Sequence, residues 1–103
     1  MDLDTIIYSG ETAKKYQVTL EEKRFLFRLV SSLREAHKDT QLQIYRMANG
    51  ALSVYSSRAY LGKIKLQGKM TWMQYPKGND TKDAEDKTLD EYFQLLKHWV
   101  KYA

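Results

Sequence analysis

The sequence predicts an α+β domain: a four-stranded antiparallel meander with an N-terminal and a C-terminal helix packed on one face. Three observations lead there. Two capping boxes, Thr19 with Glu22 and Thr88 with Glu91, each precede an apolar stripe of helical period. Between them lie four short alternating runs. Asn49-Gly50 and Gly68 supply the turn signals of two hairpins. A chain of 103 residues has the size of one domain, spanning 1–103, with a single core.

Residues 1–18 form a poorly defined N-terminal arm. Within it, residues 2–8 suit a short strand or an extended segment, and residues 12–17 suit one helical turn. The first helix is expected from about Thr19. Leu26, Leu29, Val30 and Leu33 recur at i, i+3, i+4 and i+7 as its buried stripe, and Phe25 and Phe27 widen that stripe on its shoulders. The helix should stop near His37 and Lys38, whose charge suits the negative helix pole.

Residues 41–47 (QLQIYRM) and 51–57 (ALSVYSS) form the first hairpin. A two-residue turn at Asn49-Gly50 would align Tyr45, Met47, Leu52 and Val54. A three-residue turn, with Gly50 at a left-handed bulge position, aligns Leu42, Ile44, Leu52 and Val54 instead. The second register is preferred because its buried set is purely aliphatic. In the next pair, a turn through residues 67–69 groups Ile64, Leu66, Met70 and Trp72. Lys63, Lys65, Thr71, Met73 and Tyr75 then face the other way.

Pro76 is expected to end the sheet, because proline cannot donate to a ladder. Residues 76–87 (PKGNDTKDAEDK) read as a mobile acidic loop. The last helix follows Thr88, with a broad apolar face from Leu89 to Tyr102. That width suits packing on the first helix, with a weak homodimer contact as the other use and a monomer otherwise.

Composition narrows the chemistry. The chain has no cysteine, which excludes disulfides, thiolate catalysis and cysteine-bound metal. No phosphate-binding glycine loop is present, and His37 and His98 share no motif with a nucleophile. The acids at 80–91 lack the spacing of a calcium loop. No catalytic residue, metal or cofactor is therefore expected. No secretion signal or membrane-length apolar run occurs, so a cytoplasmic protein without membrane association is expected.

Charge is segregated. Residues 40–79 hold six basic side chains and no acid, within a chain of formal charge +4. With the aliphatic face covered by helices, the opposite face should carry Tyr45, Tyr55, Tyr75, Met47, Met73, Lys63 and Lys65, and the expected binding residues are Lys63, Lys65, Tyr75, Tyr45, Tyr55, Arg46, Met73 and Arg58. Tyrosines on an open sheet stack unpaired bases while lysines hold phosphates. The expected function is non-catalytic binding, first of single-stranded nucleic acid. The alternative is an acidic protein surface, as for an inhibitor or adaptor of a nucleic-acid enzyme.

Overall fold

In the computed structural model the described residues are 7–9, as backbone, and 17–103. The elements run β1 (Ile7–Ser9), α1 (Leu20–Glu35), β2 (Leu42–Arg46), β3 (Leu52–Ser56), β4 (Tyr60–Lys65), β5 (Trp72–Lys77), β6 (Asp80–Glu85) and α2 (Leu89–Tyr102). One sheet takes the order β1-β2-β3-β4-β5-β6. Strands β2 to β6 form an antiparallel meander, and β1 adds to the β2 edge in parallel. The α+β class and the two helices agree with expectation; the strand number does not. The helical turn expected at 12–17 lies almost wholly outside the described residues.

Both helices begin as their capping boxes dictate. The Glu22 amide donates to Thr19 Oγ1 at 3.2 Å, and the Thr19 amide to Glu22 Oε1 at 3.0 Å. Thr88 and Glu91 repeat the exchange at 3.2 and 3.0 Å. Helix α1 ends in a Schellman arrangement. The Lys38 amide donates to the Leu33 carbonyl and the His37 amide to the Arg34 carbonyl. His37 occupies the left-handed position at φ 59°, where glycine is the unstrained choice. His37→Gly should therefore raise stability by about 1 kcal/mol, read as a higher urea midpoint; an unchanged midpoint would show the cap to be unstrained.

The core lies between the helix layer and one sheet face. Helix α1 contributes Phe25, Leu26, Leu29, Val30 and Leu33, and α2 contributes Tyr92, Leu96 and Trp99. The sheet contributes Leu42, Ile44, Leu52, Val54, Leu61, Ile64, Met73 and Ala84. Phe25 meets Trp99 edge to face at 5.4 Å and Phe93 at 6.4 Å, so the wide apolar face of α2 is used against α1. Phe27 departs from expectation: it sits outside the core, 49% exposed.

The first hairpin takes the three-residue turn. The pair Arg46↔Leu52 precedes Met47, whose amide donates to the Ala51 carbonyl, and Gly50 sits at φ 94°. Leu42, Ile44, Leu52 and Val54 are all buried in consequence. The second hairpin slips by one residue from the expected register. Ile64 pairs with Met73 and Lys65 with Trp72 across the longer connection 66–71. A one-residue slip turns every side chain of a strand to the opposite face, so Met73 points inward and Trp72 outward.

The segment expected as a loop, 76–87, instead completes β5 and forms the whole of β6. Lys77 pairs with Asp80 across a two-residue turn at Gly78 and Asn79, with Gly78 at φ 65°, as a type II′ connection requires. Pro76 pairs with Thr81 but lies beyond the β5 residues paired to β4, which are 72–74. Its missing N–H therefore removes no bond from the β4 ladder.

Candidate binding face

The outer sheet face, away from the helices, carries three tyrosines in two cross-strand rows. One row crosses the strands as Tyr45, Ser53, Lys63, Gln74 and Asp83; another pairs Gln43, Tyr55 and Tyr60. Tyr45, Tyr55 and Tyr60 are 44%, 36% and 42% exposed. Their rings form one cluster, with Tyr45 and Tyr55 edge to face at 5.7 Å and Tyr55 and Tyr60 tilted at 5.0 Å. The Tyr60 hydroxyl donates to Gln74 Oε1 at 3.0 Å. Burial raises the Tyr60 phenol above its ordinary value, opposed by a hydrogen bond with Ser53.

Tyr60 was not among the expected site residues, and a β-bulge is the reason. Val54 pairs with Gly62 but Tyr55 with Tyr60, leaving Leu61 as the extra residue. The bulge resets alternation. Tyr60 thus reaches the same outer face as Lys63, while Leu61 enters the core. Two residues spaced three apart would otherwise have faced opposite ways.

Of the eight expected site residues, Lys63, Lys65, Tyr45 and Tyr55 share the outer face. Arg58 is exposed in the β3–β4 connection, at the Tyr55–Tyr60 end. Three belong elsewhere. Met73 is fully buried in the core, turned there by the register slip. Tyr75 is half-buried on the helix side and stacks on His98 of α2 at 4.7 Å. Burial first, then Lys97, Lys77 and Lys101, lower the His98 pKa from its ordinary 6.5.

Arg46 is buried in an ion pair. Its Nη1 donates to Glu22 Oε2 at 2.6 Å and to the Gly50 carbonyl at 2.9 Å, and its Nη2 to Glu22 Oε1 at 3.0 Å. Gln67 Nε2 adds a bond to Glu22 Oε1 at 2.9 Å. Arg46 thus joins the α1 N-terminus to the first hairpin and has no place on the outer face. Alternation does put residue 46 with Leu42 and Ile44 on the inward side, but its charge masked that position.

The charge of the face also differs from the expected basic surface. Strand β6 buries Ala84 and therefore turns Asp83 and Glu85 outward, beside Gln74 and Trp72. A shallow depression there is lined by Lys63, Trp72, Gln74, Asp83 and Glu85. The result is a gradient across the strands: tyrosines over β2 to β4, lysines on β4, and carboxylates at the β6 edge.

Compared with known protein families, curated proteins and solved structures, the chain matches none of them. Among the described residues, no helix is long and apolar enough to cross a membrane. The fold and face define a small α+β domain with helices on one sheet side and partly exposed aromatic rings on the other.

Proposed function

We propose that the protein is a non-catalytic binding module that holds single-stranded nucleic acid on the outer face of its sheet. The observation carrying this reading is the partly exposed Tyr45–Tyr55–Tyr60 cluster with cations at both ends: Arg58 at one, Lys63 and Lys65 at the other. Each exposed ring offers a base a stacking partner worth about 1–3 kcal/mol. The backbone of β6 lies two strand spacings from β4, about 10 Å away, so a strand laid along β3 and β4 passes over the tyrosines and not over the depression that Lys63 shares with Asp83 and Glu85.

The double variant Lys63→Glu with Lys65→Glu should abolish binding of a fluorescent oligothymidylate while leaving the thermal midpoint nearly unchanged. The wild-type affinity should fall with salt at a log–log slope of about −2, as three neutralised phosphates on a single strand imply. Unchanged affinity in the double variant would remove this reading.

A second reading, docking on a protein, is favoured by Asp83 and Glu85 sharing the face. Mixed charge around exposed tyrosines and a tryptophan suits a protein interface. That reading expects no measurable oligonucleotide affinity, and loss of partner binding in Tyr55→Ala.

A further inference from the structure

Helix α1 has a second stripe that the core does not use. Leu20, Arg24, Phe27 and Ser31 recur at i, i+4, i+7 and i+11, and all four are exposed. Leu20 is 59% exposed and Phe27 49%. Arg28 lies beside them, and Arg24, Phe27, Arg28 and Ser31 form with Phe93 of α2 a shallow, mainly apolar groove on the outside of the helix layer. The Arg28 guanidinium carbon lies 5.8 Å from the Phe93 ring centroid.

The groove is chemically distinctive. Two large apolar side chains one heptad apart expose surface that solvation alone does not call for. Arg24 and Arg28 sit one helical turn apart, and among the described residues neither is in an ion pair. Glu21 and Glu35 border the stripe on α1, and Lys97 follows Phe93 by one turn on α2. Positive charge is thus concentrated beside the groove, with glutamates marking its two ends. An occupant must bring one apolar side chain to the gap between Phe27 and Phe93, with carboxylates opposite the two guanidinium groups. Arginine and aromatic side chains in this arrangement are the usual anchors of protein interfaces.

We propose that this groove docks an acidic amphipathic helix of a partner protein. Its apolar residue enters between Phe27 and Phe93, and carboxylates one turn apart on the same helix reach Arg24 and Arg28. The groove lies on the far side of the helix layer from the tyrosine cluster, so both surfaces can be occupied together. The inference stands independently of what the sheet face binds.

The test uses the full chain and a stapled helical peptide of leucine flanked by glutamates at one-turn spacing. The controls are the same peptide with glutamine or lysine in place of glutamate. Fluorescence anisotropy should show binding of the glutamate peptide alone, weakened about tenfold or more by Arg24→Glu with Arg28→Glu and by Phe27→Ala. Circular dichroism should show all variants folded, because these side chains are exposed. Equal binding of all three peptides, or of none, would overturn the proposal. Oligothymidylate binding lost in the Arg24/Arg28 variant would reassign the groove to nucleic acid. Wild-type dimerisation dissolved by that variant would assign it to a second copy of this chain.

Discussion

Arg46→Ala should lower unfolding stability by about 3–5 kcal/mol, the cost of stranding a buried charge. Glu22 and Arg46 are 1% and 5% exposed, so the carboxylate left behind cannot recover its hydration. The variant also removes the donor to the Gly50 carbonyl, which holds the turn of the first hairpin. For a domain of this size each kcal/mol moves the thermal midpoint by roughly 4–8 °C, so a fall of more than about 12 °C is expected. Replacing both partners with methionine should cost much less, since a buried ion pair and a packed apolar pair often break even. Some cost remains, because Glu22 also closes the capping box and accepts from Gln67. Urea denaturation of the single and double variants measures the difference. A loss below about 1 kcal/mol in Arg46→Ala would mean that the pair is solvated when the protein folds.

This ion pair is also a feature that local sequence patterns do not encode. The capping role of Glu22 and the inward phase of Leu42 and Ile44 were both legible. What joined them was not: each charge looked adequately explained by itself, one as a helix cap and the other as part of a basic surface. The first hairpin was readable because Gly50 and the aliphatic set chose the same register. The second was not, because its apolar residues serve either register: Met70 and Trp72 in one, Met73 in the other. Long-range partners decide it, namely Ala84 from β6 and the α2 helix. Strand β6 was missed because DTKDAE has neither strand propensity nor alternation, and its only buried side chain is Ala84. Its local signal was the turn pair Gly78-Asn79, outweighed by the charge around it. On the outer face, Lys63, Lys65, Tyr45 and Tyr55 were legible from alternation. Tyr60 was not, because no single-strand period anticipates the bulge at Leu61.

Gly62→Ala should destabilise the fold by about 3 kcal/mol or more, from overlap combined with backbone strain. Gly62 takes φ 152°, and a Cβ built there would lie 2.1 Å from the Gln74 carbonyl oxygen and 2.7 Å from Trp99 Nε1. The first obstacle is backbone, so no rotamer change relieves it. The second is the indole that donates to that same carbonyl at 3.0 Å. To admit a methyl group, β4 must part from β5, or Trp99 must withdraw and take its hydrogen bond from the part-buried Gln74 carbonyl, itself a cost of about 1 kcal/mol. Trp99 also packs on Phe25, so its displacement would loosen the contact between α2 and α1. The variant should show a lower urea midpoint and a red-shifted tryptophan emission. Repeating Gly62→Ala in a Trp99→Phe background separates the two obstacles. Most of the cost should persist there, because the carbonyl is the closer atom and cannot turn aside. Disappearance of the cost in that background would identify the indole as the whole obstacle, and an unchanged midpoint in the single variant would show that the strands part freely at this point.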